Sequence, residues 1–330
     1  MYLGIDIGFY QLKAIGNGRE ACFPSRAVRA RRSLESLGAD EAIILEYDDG
    51  KYMVGREAVR KGNGARKETP DWIESREYLM LFHAALSEIT EATQANMSVV
   101  TGLPISDVAR DKATLKGRLM GVHVFTREGR HRQRITVDAV RIVPQGWGAV
   151  LSQLFDERGS VVREEFARQK VGVLDIGGHN VQYLSVEGLS DLPMESHSTE
   201  HGAWDVVRDV RTFFNAEHPG LAHLSDHQIM DAAITGEVYD GQARIDLAPV
   251  VKPIMRDIGE EIVDTAGQYW GVGAATFRSI LVCGGGAYLW GEHIQRAFPQ
   301  ATVLNSPEYA NAQGYHNFAV YLAQKEQRRG

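Results

Sequence analysis

Apolar positions along the chain follow two rhythms. Short β-branched or alternating runs predict strands at Tyr2-Leu3-Gly4-Ile5-Asp6-Ile7, Leu12-Lys13-Ala14-Ile15, Val171-Gly172-Val173-Leu174-Asp175-Ile176, Val181-Gln182-Tyr183-Leu184-Ser185-Val186 and Ile280-Leu281-Val282-Cys283. Spacings of three and four predict helices through Tyr78, Leu79, Phe82, Leu86 and Ile89; through Val150, Leu151, Leu154 and Phe155; through Val207, Val210 and Phe214; and through Ile258, Ile262, Ala266 and Tyr269. The chain is therefore mixed α/β. The first two strand pairs turn at Gly8 and at Gly177-Gly178, and Gly16-Asn17-Gly18 closes the first unit. A third strand runs into Gly284-Gly285-Gly286 and then into a predicted helix holding Leu289, Ile294 and Phe298.

The same strand-Asp-x-Gly hairpin thus occurs twice, which predicts an internal duplication with each half supplying one side of a cleft. The boundary falls in the charged stretch from Asp156-Glu157-Arg158 to Arg168-Gln169-Lys170. Composition narrows the picture. With 36 Lys+Arg against 43 Asp+Glu the net charge is −7, which argues against a protein that coats nucleic acid directly. Only Cys22 and Cys283 are present, too few for a disulfide framework or a four-cysteine zinc site, so a reducing, cytoplasmic setting is expected. The start lacks a basic, signal-like segment, and no apolar run approaches the ~20 residues of a membrane span. Glycine is in surplus, 34 in 330 residues, and the excess matters because several glycines end strands.

An aspartate at a strand edge with glycine two residues on suits polyphosphate. Backbone N–H groups approach phosphate oxygens across the glycine, while the carboxylate holds Mg²⁺, usually through its waters. Asp6 and Asp175 occupy equivalent places and are the expected metal-holding residues; Lys13, on the first return strand, adds positive charge. Gly284, Gly285 and Gly286 form a strand-glycine-helix junction that faces a nucleotide or phosphate.

In this order the motifs resemble those of the actin, Hsp70 and sugar-kinase ATPases, and among them actin-like proteins of the ParM/StbA plasmid-segregation type. Asp6-Ile7-Gly8-Phe9-Tyr10-Gln11-Leu12-Lys13 is similar to their first phosphate loop, Asp175-Ile176-Gly177-Gly178 to the second, and Val282-Cys283-Gly284-Gly285-Gly286 to the adenosine motif. Phe23-Pro24-Ser25, Thr101-Gly102-Leu103-Pro104 and the stretch from Pro307 to Tyr315 add to the likeness. The resemblance implies a duplicated actin-like, ribonuclease H-like fold with two domains around a nucleotide cleft: residues 1–158, closed by a C-terminal helix over 315–330, and residues 159–314. It further implies binding of Mg-ATP, or GTP, by Asp6, Gly8, Phe9, Tyr10, Lys13, Asp175, Gly177, Gly178, His179 and the Gly284–286 turn. Gly202 would lie beside the nucleotide. Gln145, in Pro144-Gln145-Gly146-Trp147, would orient the attacking water, with Asp175 as the second catalytic residue and slow hydrolysis as the consequence.

By the same resemblance the partners are further copies of the chain in a filament and a DNA-binding adaptor, with no direct nucleic acid and no membrane. Two departures stand out. His179-Asn180-Val181-Gln182 replaces the small hydroxyl residues and later acid of the second loop, and Phe9 and Tyr10 stand where small residues are usual, so contacts there would come from backbone N–H groups. These departures keep a nucleotide-gated scaffold open as an alternative. A sugar or acetate kinase is disfavoured because Gly178-His179-Asn180 lacks an Asp, and a chaperone because no substrate-binding domain follows. Among the histidines at 197, 201, 218, 223 and 227, the 223/227 spacing suits zinc, yet Ser225-Asp226 reads better as a helix N-cap. Arg26, Arg29, Arg31 and Arg32 form a basic patch expected in a solvated loop or at a partner contact.

Overall fold

The computed structural model describes residues 1–30, 42–61 and 71–328. In chain order the elements are β1 (Tyr2–Ile7), β2 (Gln11–Gly16), β3 (Arg19–Pro24), β4 (Ala27–Arg29), β5 (Ile43–Tyr47), β6 (Gly50–Val54), α1 (Arg56–Lys61), α2 (Arg76–Ile89), β7 (Gln94–Leu103), α3 (Val108–Leu119), β8 (Gly121–Arg127), β9 (Arg132–Pro144) and α4 (Trp147–Leu154). The second series is β10 (Lys170–Ile176), β11 (Val181–Glu187), β12 (Ser190–Asp191), β13 (His197–Thr199), α5 (Trp204–Glu217), α6 (Asp226–Thr235), β14 (Glu237–Asp240), β15 (Ala243–Asp246), α7 (Ala248–Trp270), β16 (Ser279–Cys283), α8 (Ala287–Ala297), β17 (Ala301–Val303) and α9 (Ala310–Gln327).

The duplication is visible in strand pairing. β1 lies between antiparallel β2 and parallel β7, with β9 parallel to β7 beyond; β10 lies between antiparallel β11 and parallel β16, with β17 parallel to β16 beyond. The registers match as well, since Ile7 faces Leu12 in one hairpin and Ile176 faces Val181 in the other. Each central strand is almost wholly buried, as parallel pairing with helices on both faces requires. One apolar core sits under α2 in the first lobe and another among α5, α6, α7 and α8 in the second.

A third core joins the lobes. It holds Val150, Leu151 and Leu154 of α4, Tyr315 and Ala319 of α9, and Val173, Leu184 and Leu281 of the second sheet. α4 and α9 cross at bare backbone: a Cβ on Gly314 would stand 1.8 Å from the Gly148 carbonyl oxygen, and one on Gly148 would stand 2.3 Å from Asn311 Cα. Any side chain at either position would force the helices apart.

Several expectations change in detail. Phe155 ends α4 in extended conformation rather than lying inside it. Ahead of α5 the chain is extended only over β13, because Pro193 opens a 3₁₀ turn through Glu195. The basic patch is not free: Arg26 pairs with Glu77 at 3.5 Å, and the Arg29 guanidinium donates to the Asp49 carbonyl at 2.7 Å. Arg31 and Arg32 lie outside the described residues.

Candidate functional site

The sheets place the ends of β1 and β10 on opposite walls of one cleft of about 2010 Å³. The first lobe contributes Asp6, Gly8, Phe9, Tyr10, Lys13 and Gln145 to its lining; the second contributes Asp175, Gly177, Gly178, His179, Gly284, Gly285 and Gly286. Residues nearly 170 positions apart in sequence thus converge because each terminates the same strand of a repeated unit.

The loops are held from behind. In the first, Ser25 Oγ donates to the Gly8 carbonyl at 2.6 Å and the Ser25 N–H to the Tyr10 carbonyl at 2.9 Å. The second is tied to the start of α5, with the Ala203 and Trp204 N–H groups donating to the Gly177 and Gly178 carbonyls at 3.0 and 2.7 Å. Gly202 braces the second loop. It does not line the cleft but packs behind this loop, where a Cβ would stand 2.7 Å from the Gly178 oxygen and 2.8 Å from the Gly177 oxygen. Gly284 has φ +80° and presses on the Ile176 carbonyl, Gly286 donates its N–H to that carbonyl at 2.9 Å, and Gly285 alone has open space before it.

Both carboxylates are buried and strained electrostatically. Burial pushes Asp6 above the usual carboxylate range, with Lys13 opposing, and burial together with the Asp6 charge pushes Asp175 up to about 6. A pair of hard oxygen ligands that repel each other in a cleft fits a hydrated Mg²⁺, which takes one or two carboxylates and keeps its waters. Lys13 faces Asp6 across the β1–β2 ladder and is 8% exposed.

Gln145 follows β9 and its Nε2 donates to Asp6 Oδ1 at 3.3 Å. Asn311, given no role from the sequence, is the residue that ties the floor together. It is 4% exposed, its Nδ2 donates to Asp175 Oδ2 at 2.7 Å, and its Oδ1 accepts the Gly146 N–H at 3.2 Å. Its signal in the sequence was only its place in the Pro307 to Tyr315 stretch. Gln182, read as a missing acid, has a different use: its Oε1 accepts the Ile105 N–H at 2.9 Å and its Nε2 donates to Ser198 Oγ at 2.8 Å, linking the lobes.

The side chains of Phe9 and Tyr10 make ring contacts of their own with the second lobe. Phe9 stacks on His179 with ring centroids 4.7 Å apart, and Tyr10 lies 5.1 Å from Trp204 and 4.3 Å from His227. Burial raises the Tyr10 phenol to about 12 and lowers the His227 imidazole. Ser225 caps α6 in a reciprocal capping box with Gln228, as its sequence position suggested. The other histidines disperse, His197 stacking on Tyr269 and His201 pairing with Asp205. No helix among the described residues is long and apolar enough to cross a membrane.

Two lobes built on repeated sheets, linked by crossing helices and facing one cleft with paired Asp-x-Gly hairpins, define the actin-like fold. Residues 4–148 match the family model for the N-terminal domain of actin-like proteins, and residues 173–296 match that for the C-terminal domain of archaeal MreB-like actin homologues. The chain belongs to the actin-like proteins. It is 27% identical to an archaeal actin homolog of Thermoplasma volcanium, over 96% of this chain and 98% of that one. Among solved structures it resembles Ta0583, an archaeal actin homolog, in complex with ADP (TM-score 0.77, 20% identity, 98% and 99% of the two chains). It also resembles the subunit of a 15-stranded ParM filament from Clostridium botulinum (TM-score 0.80, 21% identity, 96% and 98%).

Proposed function

We propose that this protein is a slow ATPase that binds Mg-ATP, or GTP, between residues 1–158, closed by the part of α9 from Tyr315 onward, and residues 159–314, and that it assembles into dynamic filaments in the cytoplasm. The observation that carries the reading is the placement of Asp6 and Asp175, each followed by a glycine loop, on facing walls of one cleft. The ADP complex of one relative in fold and the filament of another support nucleotide binding and self-assembly.

Backbone N–H groups of Gly8 to Tyr10 and Gly177 to His179 grip the phosphates, Lys13 adds charge, and the Gly284–286 turn takes the adenosine side. Asp6 and Asp175 would hold Mg²⁺, which when bound neutralises phosphate charge. Gln145 orients a water in line with the terminal phosphorus. The new P–O bond forms as the bridging P–O bond breaks, giving nucleoside diphosphate and phosphate, with the water's proton leaving on phosphate. Positioning matters more than basicity for so loose a transition state, which is why an amide serves. Filaments would act on plasmid or other DNA through an adaptor, consistent with the net charge of −7.

Light scattering and negative-stain microscopy with ATP, ADP and a non-hydrolysable analogue test the reading, and filaments are expected with the triphosphate forms. Nucleotide binding without filaments at any concentration would leave the non-polymerising scaffold instead, the reading favoured by the diversion of Gln182 to an inter-lobe link and by the aromatic stacking of Phe9 and Tyr10.

A further inference from the structure

We propose that Tyr315 is a positioning residue for Gln145, fixing the amide so that its carbonyl faces the attacking water; the inference rests on the hydrolytic reading above. Its basis is a buried hydroxyl with nothing to bond. Tyr315 is 0% exposed, and its phenolic oxygen has no hydrogen-bond partner among the described residues. Such an orphan carries a free-energy cost that phenylalanine would avoid, and buried polar groups of this kind concentrate where function requires them.

The surroundings indicate what the hydroxyl is for. α9 carries Tyr315 beneath the end of β7, under the cleft floor. A Cβ on Gly102 would stand 2.2 Å from the Tyr315 hydroxyl oxygen and 3.1 Å from Gln145 Cγ, so both side chains crowd one face of the same glycine. On its other side Gln145 is held weakly, Nε2 donating to Asp6 Oδ1 at 3.3 Å. Burial, reinforced by Asp6 and Asp175, pushes the phenol well above its ordinary value, so it remains a donor. A carbonyl oxygen has two lone pairs. When Gln145 turns toward a bound nucleotide, one lone pair of Oε1 accepts the Tyr315 O–H and the other accepts from the water, while Nε2 stays on Asp6. Tyr315 itself does not line the cleft, so nucleotide grip does not depend on it.

Tyr315→Phe in the full chain keeps the ring packing and removes only the orphan oxygen. The expected result is a fall of ~10-fold in kcat for phosphate release, with KM and fluorescent-nucleotide affinity changed less than about twofold and the melting temperature equal or higher. Combined with Gln145→Ala it should add nothing to the loss that Gln145→Ala causes alone. An unchanged kcat with a raised melting temperature overturns the proposal, as does an additive loss in the double variant. If Gln145→Ala leaves hydrolysis untouched, or the unaltered chain releases no phosphate, the hydrolytic reading has failed first and the positioning role falls with it.

Discussion

The hairpin of Asp6 and the hairpin of Asp175 share one backbone design and differ in what lies across it. Both put an aspartate near the end of a buried strand, both turn through a glycine whose Cβ would stand 2.9 Å from a carbonyl of the same loop, and both pair in the same register. Opposite Asp6 is Lys13; opposite Asp175 is Gln182. The first hairpin therefore keeps a cation facing the cleft, while the second uses the matching position to bind the lobes together through Ile105, with Ser198 of the neighbouring strand β13 holding the amide from its own side. Duplication supplies the cradle twice, and divergence at one cross-strand position puts a cation in one copy and an inter-lobe hydrogen bond in the other.

The sharpest way to break this comparison is at the aspartates. Asp175→Ala should retain the fold and lower Mg-nucleotide hydrolysis by ~10²–10³-fold, as loss of a preorganised charge contact does; an unchanged phosphate-release rate would show that the second hairpin is not a phosphate loop. Next comes pH dependence without nucleotide. Asp175 has a folded value of about 6, above its ordinary 3.8, so its contribution is present below pH ~4 and lost as pH rises through 6, on the order of 2–3 kcal/mol.

Elsewhere in the first lobe the slope has the opposite sign. His83 accepts or donates to both Tyr47 and His123, and burial with its neighbour His123 lowers it to about 3, so stability is present above pH ~6.5 and lost as acid protonates the unfolded chain. Comparing the unaltered chain with Asp175→Asn by thermal melting from pH 4 to 7 cancels the histidine contribution. The pH dependence of that difference should flatten when Mg-nucleotide is added; a difference that is already pH-independent without nucleotide would contradict the assignment.

Swapping the cross-strand partners gives smaller effects. Lys13→Gln should weaken nucleotide affinity by ~10-fold with little change in melting temperature, measured by fluorescent-nucleotide titration. Gln182→Ala should do the reverse, costing about 1–2 kcal/mol in chemical denaturation by leaving the Ile105 N–H unpaired, with affinity nearly intact. If the two variants behave alike, the division of labour between the hairpins is wrong.

Much of this site could be read from residue order, because strand-end glycines and acids announce themselves locally. Asn311 could not, since nothing on α9 distinguishes it from any polar residue in a first helical turn until α4 is laid across it. Ser25 likewise gains its role only when β3 ends beside the first loop. Gly202 is ambiguous for the same reason: a glycine after a strand and before a helix reads identically whether it faces ligand or the back of a loop.

Alternation and glycine placement by themselves determined the mixed α/β class, the duplicated hairpins and the two acids, because strand periodicity and turn chemistry are properties of a few neighbouring residues. Only the tertiary structure decided that Phe9 and Tyr10 reach across to His179, Trp204 and His227, that Gln182 links the lobes, and that the Tyr315 hydroxyl is stranded beside Gln145. Those outcomes depend on how two sheets and two crossing helices are set against each other, a long-range packing result to which no local pattern of residues points.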